Sequence, residues 1–136
     1  MRVVFDTNVV ISGLLWKGTT KTLFDFVDRG SVTLCLTPLA VEEVERVLRY
    51  PKIFKQLRTH GVAPEEVVAY LVKHSLLFPD VHVVRVVAED PSDDVFLNCA
   101  FVSGATWIVS GDQHLLRIGV YRGTRIVTPR QFLKLF

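Results

Sequence analysis

Short apolar runs recur along the chain, separated by longer stretches in which apolar residues return every three or four positions. This alternation constrains the fold more than any other feature. Strands joined by helical crossovers must build a mostly parallel sheet with helices on its faces, the α/β class. Residues 3–5, 32–36, 106–109 and 125–127 read as strands, and 81–87 as a further strand with no evident partner. Residues 20–28 read as a helix, with Leu23, Phe24 and Val27 on one face and Gly30 beyond its end. Thr37 followed by Pro38 is an N-cap with proline at the first helical position, and the period continues through Val44 and Leu48 to Tyr50-Pro51. Helices are also expected over 52–59 and 64–77. Another follows Ser92-Asp93-Asp94, with Phe96, Leu97, Ala100 and Phe101 on its apolar face. Thr128-Pro129-Arg130-Gln131 combines capping-box spacing with a leading proline and opens a last helix carrying Phe132, Leu133 and Phe136.

A length of 136 residues suits one domain, 1–136, able to bury its own core. Mean hydropathy is high at +0.33, yet no apolar run nears the roughly 18 residues that a membrane span needs. The first apolar run meets Asp6 too early for a signal peptide and is better explained as a buried strand. Cys35 and Cys99 form no C-x-x-C pair and no zinc spacing, so they read as reduced core thiols suited to the cytoplasm. A net charge of +2 decides nothing about nucleic acid, and its local distribution must.

The acids are placed with more purpose than the composition suggests. Asp6 ends the first strand, and Asp112 follows the strand Trp107-Ile108-Val109 through Ser110-Gly111. In open parallel sheets the working crevice lies beyond the carboxyl ends of the strands. Glu42 and Glu43 lie about two turns into the helix leaving the second strand, and Asp93 and Asp94 begin a later one. Each acid has an ordinary structural reading: a turn former, a helix cap, a solvated helix-face charge. Several carboxylates gathered in one crevice would repel one another unless they held a hard cation such as Mg²⁺ or Mn²⁺, which is phosphodiester-hydrolysis chemistry. No covalent nucleophile is evident. Ser12 and Ser110 lack a nearby histidine, and His60, His74, His82 and His114 show no ligand spacing, though His114 stands apart because it follows Asp112 by two positions.

Four blocks in order resemble the PIN-domain family: residues 4–12, opening Val4-Phe5-Asp6-Thr7-Asn8; residues 37–48, containing Glu42-Glu43-Val44; residues 90–100; and residues 105–112, ending Ser110-Gly111-Asp112. The resemblance implies a three-layer α/β/α sandwich around a parallel sheet, one or two Mg²⁺ or Mn²⁺ ions and endoribonuclease activity. It also implies kinship with the toxin half of toxin–antitoxin pairs of the VapC type. Asp6 then corresponds to the anchor ligand, with Asn8 ordering the site and Thr7 in support. Glu43 corresponds to the second acid because it directly precedes Val44, Asp93 to the third by its spacing to Ala100, and Asp112 to the fourth, with Ser110 beside it. Asp90 and Asp94 stand in the outer shell. On this resemblance Asp6, Asp93 and Asp112 hold metal, while Glu43 ligates a second ion or orients the attacking water. An antitoxin segment occupying the crevice and assembly as a homodimer or higher homo-oligomer are implied in the same way.

Arg46, Arg49, Lys52, Lys55 and Arg58 recur every three residues with Tyr50 and Phe54 between them, a candidate surface for RNA phosphates and unpaired bases. Three-residue spacing drifts around a helix, so a solvated amphipathic surface is the competing reading. An aspartyl-phosphate phosphotransferase would carry a second acid two residues after its first, where this chain has Asn8. A receiver-like phospho-acceptor needs a lysine after a late strand, and Thr128-Pro129-Arg130 supplies none. A non-catalytic PIN-like RNA-binding or scaffold protein is the remaining alternative.

Overall fold

Strands at the middle of a parallel sheet are covered on both faces and therefore run as unbroken apolar sequence. Strand β1 (Arg2–Phe5) has that character, with Val3, Val4 and Phe5 fully buried. The structure, a computed structural model, describes residues 1–15, 18–81 and 91–136. Around β1 the described residues form β2 (Thr33–Leu36), β3 (Ser75–Leu77), β4 (Trp107–Val109), β5 (Val120–Tyr121) and β6 (Thr124–Val127). Their order across the sheet is β3-β2-β1-β4-β6-β5, parallel except for the β5–β6 pair. From β1 the chain builds outward to β2 and β3, then crosses to β4 and β6 on the other side. The reversal falls between β1 and β4, the place where open α/β sheets form a crevice.

Helices α1 (Thr7–Leu15), α2 (Thr19–Asp28) and α8 (Pro129–Leu133) form one layer. Phe24 meets Phe5 edge-on at 5.4 Å, and Phe132 meets Trp107 at 6.1 Å. The other layer contains α3 (Pro38–Leu48), α5 (Pro64–Lys73) and α6 (Pro91–Ser103), with α6 lying along β1, β2 and β4. Short α4 (Pro51–Thr59) follows α3, and α7 (Gln113–Ile118) follows β4. The result is a three-layer α/β/α sandwich. Thr37 caps α3 by accepting from the Ala40 amide, and Thr128 with Gln131 forms the capping box of α8.

The sequence reading needs four amendments. Helix α1 was not anticipated, because Thr-Asn-Val-Val-Ile-Ser-Gly is rich in β-branched residues and has a glycine inside, all poor helix formers. Packing explains Gly13. A Cβ there would stand 2.4 Å from a Phe24 ring carbon and 2.9 Å from the Thr20 carbonyl, so α1 and α2 meet through that gap. The helix expected over 64–77 stops at Lys73, and residues 75–77 pair instead with Leu34, Cys35 and Leu36 as the edge strand β3. Asp93 and Asp94 lie inside the first turn of α6 and not ahead of it. Helix α7 and strand β5 were also unforeseen. The β5–β6 turn places Arg122 at φ 48° and Gly123 at φ 83°, the pair of positive angles that a two-residue hairpin of matching twist requires. Residues 82–87 of the strand expected over 81–87 lie outside the described residues, as does Asp90, and Val81 is exposed and outside any strand.

Candidate active site

The two strand-end aspartates first do local structural work. Asp6 accepts the Val9 amide at 2.9 Å through Oδ1 and so caps α1. Asp112 caps α7, its Oδ1 accepting from the His114 and Leu115 amides at 2.7 and 3.3 Å. Ser110, fully buried between them, ties the two together. Its hydroxyl donates to Asp6 Oδ2 and accepts the Asp112 amide at 2.9 Å. Ladder bonds continue past the strand ends, from the Asp6 amide to the Val109 carbonyl and from the Ser110 amide to the Val127 carbonyl. The backbone of three adjacent strands therefore fixes the floor of the site.

These residues open into a cleft of about 510 Å³. Asp6, Thr7, Asn8, Glu43, Asp93 and Asp112 line it, with Phe96, Val47 and Ile53 as apolar wall. The acids come from four separate elements, β1, α3, α6 and the β4–α7 connection, brought together by the strand reversal. Glu43 faces the cleft while Glu42 is exposed, and Asp93 lines it while Asp94 is buried in the same turn. His114 stands outside this lining, and a ring nitrogen of it lies within 4.8 Å of carboxylate oxygens of Asp93 and Asp112, which are themselves within that distance of each other. His114 is the site residue that sequence reasoning left out; its two-residue spacing from Asp112 was the one available signal.

Burial raises the Asp6 carboxyl above its ordinary pKa, against the lowering effect of the Ser110 hydroxyl and the Val9 amide, and the nearby Asp112 charge adds to the rise. A buried carboxylate in such surroundings is best compensated by a positive charge. The donor set fits a divalent cation: several carboxylates for a hard ion, one imidazole, and two enclosed polar atoms, Thr7 Oγ1 and His114 Nδ1, with no hydrogen-bond partner among the described residues.

The basic series divides. Arg46 and Lys52 reach the acidic cleft together with Tyr50. Arg46 grips Glu43 with two guanidinium nitrogens, donates to the Tyr50 hydroxyl and sits 5.4 Å over the Tyr50 ring. Lys55 and Arg58 line another groove of about 660 Å³ with Phe54 and Pro51, and no acid among the described residues lines it. Arg49 turns away and pairs with Glu65 at 2.8 Å, so it belongs to the α3–α5 contact. His60 is exposed, His74 lies 3.9 Å from Asp28, and His82 is outside the described residues. Both cysteines are buried and unpaired, and among the described residues no helix is long and apolar enough to cross a membrane.

An acidic cleft at the strand reversal of a mostly parallel α/β/α sandwich defines a PIN-like architecture. The family profile described as PIN domain matches residues 2–114, and the chain belongs to that family. No curated protein matches the chain. Among solved structures, the crystal structure of PAE2754 from Pyrobaculum aerophilum is similar, with a TM-score of 0.59. The match covers 99% of this chain and 89% of that one at 16% identity, a level at which the likeness concerns the fold alone. PIN domains are in general nucleases acting on RNA, and they typically bind divalent metals.

Proposed function

We propose that this chain is a metal-dependent endoribonuclease that hydrolyses RNA phosphodiester bonds with Mg²⁺ or Mn²⁺. One observation carries the reading: Asp6, Glu43, Asp93 and Asp112, from four distant parts of the sequence, line a single cleft. A divalent ion there would activate a water and neutralise charge on the scissile phosphate. The protein's own contributions can be assigned in turn. Asp6 is held by Ser110 and the Val9 amide as the fixed anchor, and Asp93 and Asp112 complete the ligand set. Glu43 orients the attacking water once Arg46 gives way, and Arg46 and Lys52 receive the RNA backbone while Tyr50 offers a face to an unpaired base. Asn8 borders the cleft at its exposed side. The wider reading is the toxin half of a toxin–antitoxin pair, or a close relative, working in the cytoplasm as a homodimer or higher homo-oligomer; its support is the family membership alone.

The Arg46–Glu43 ion pair favours a second reading, a PIN domain that binds RNA without cutting it, in which that arginine permanently occupies Glu43. Cleavage of end-labelled RNA and of DNA with the same sequence, each with Mn²⁺, Mg²⁺ or EDTA, separates the two. The nuclease reading expects RNA products that vanish with EDTA. Binding to RNA with no products under any metal would support the second reading.

A further inference from the structure

We propose that His114 is a nitrogen ligand of the same metal centre and tunes it towards transition divalent ions over Mg²⁺. This rests on the metal-dependent reading above. Ligand atoms around one small divalent ion stand at most about 4.2 Å apart, twice a typical 2.0–2.1 Å bond. The Asp93, Asp112 and His114 donor atoms all lie within 4.8 Å of one another, so at most a small side-chain adjustment brings them to that limit.

A second observation is independent of that spacing. His114 Nδ1 is enclosed and has no hydrogen-bond partner among the described residues, which is unusual for a buried polar atom unless a further group binds it. The local backbone also holds the ring in register with its neighbour. The His114 amide donates to Asp112 Oδ1 at 2.7 Å, so the two side chains project from one rigid turn. His60 and His74 show neither feature; His60 Nδ1 contacts the Gln56 carbonyl, and the His74 ring lies against Tyr70.

The chemical consequence is selectivity. Mg²⁺ prefers oxygen donors and keeps much of its water, whereas imidazole nitrogen is a better ligand for transition ions. Two carboxylates with one imidazole therefore favour Mn²⁺, Co²⁺ or Zn²⁺ over Mg²⁺ more than an all-carboxylate centre would.

The test needs no RNA. Pulsed electron paramagnetic resonance of the wild-type protein loaded with Mn²⁺ should show nitrogen coupling to the ion. Calorimetric titrations with Mn²⁺ alone and Mg²⁺ alone should then compare wild type with His114→Gln and His114→Ala. Expected is loss of the nitrogen coupling in both variants and a Mn²⁺ affinity lower by about tenfold or more. Mg²⁺ affinity should change by less than about threefold. Absence of nitrogen coupling in the wild type, or parallel losses for both ions, overturns the assignment, and the wild-type spectrum does not depend on how well the variants fold. Mn²⁺ bound without nitrogen coupling removes His114 alone from the centre. No Mn²⁺ binding by the wild type removes the metal-dependent nuclease reading with it.

Discussion

The two sides of the cleft are built differently. On the strand side, Asp6 and Ser110 are 4% and 0% exposed, and Asp6 Oδ1 and Oδ2, the Ser110 hydroxyl and Asp112 Oδ1 each bond to backbone or to a neighbour in the chain. On the helix side, Glu43, its side chain 13% exposed, is held by Arg46, whose side chain is 54% exposed and, among the described residues, is anchored to Glu43 and Tyr50. A buried, backbone-pinned carboxylate holds its place whether or not a ligand is present. An ion pair whose arginine is half-exposed is weakened by solvent and exchanges partners more readily. On the proposed function, the contrast gives pre-organisation to the strand side and substrate response to the helix side.

The largest expected effect follows from removing a carboxylate of the proposed ligand set, on the strand side (Asp112) or on α6 (Asp93). Asp93→Asn or Asp112→Asn should lower RNA cleavage roughly a thousandfold, since a lost metal contact removes several kcal/mol of charge stabilisation in the transition state. Asparagine still caps a helix, so the Asp112 variant should keep its far-ultraviolet dichroism. A loss of less than tenfold in kcat would place the chemistry elsewhere.

Ser110→Ala sharpens the comparison at the next level. It removes both the donor to Asp6 and the acceptor for the Asp112 amide, and should cost about 1–3 kcal/mol of stability in urea unfolding. It should also lower activity or metal affinity by about 10–100-fold. An unchanged enzyme would show that the floor of the site does not depend on this hub. Gly13→Ala gives a contrast within the same layer. It forces α1 against Phe24 and should destabilise by about 1–3 kcal/mol, with kcat per folded molecule intact.

Arg46→Ala probes the helix side and should do the reverse: a melting temperature close to wild type, and a KM for RNA several-fold higher. Equal effects of Ser110→Ala and Arg46→Ala on stability would erase the distinction between the two sides. The smallest effect concerns the core thiols. Burial, together with the neighbouring Cys35, pushes the Cys99 thiol up to about 12, against an ordinary value of 9.0. Neither cysteine should alkylate at pH 8 until the protein is unfolded. Unfolded Cys99 ionises first as pH rises past about 9, so its burial favours the folded state fully below that pH and destabilises it progressively up to about 12.

The legible parts of the fold were those with a single cause. Strands β1, β2 and β4 are largely apolar runs because helices cover both their faces, and Thr37 and Thr128 announce helices by local hydrogen bonding. Helix α1 has no such local signal; it depends on the Asp6 cap and on Phe24 filling the space over Gly13, contacts that only the fold creates. Likewise Leu76 and Leu77 continue a helical period in sequence but are recruited to the sheet edge by β2. In the site, strand-end position singled out Asp6 and Asp112. The choice of Glu43 beside Glu42, and of Asp93 beside Asp94, came from the family resemblance, because adjacent acids differ only in which side of their helix faces the cleft. Arg49 was read with the other cations, yet Glu65, sixteen residues on, claims it.

The most direct test of the acidic cleft as a metal-dependent nuclease site is end-labelled RNA cleavage by wild type and Asp6→Asn, side by side, with Mn²⁺ and with EDTA. Asparagine at this position keeps the cap on α1, so folding is not at issue. The account predicts cutting by the wild type that EDTA abolishes and that the variant lacks even at saturating Mn²⁺. Equal cutting by the two proteins, or cutting by the wild type that persists in EDTA, would contradict it.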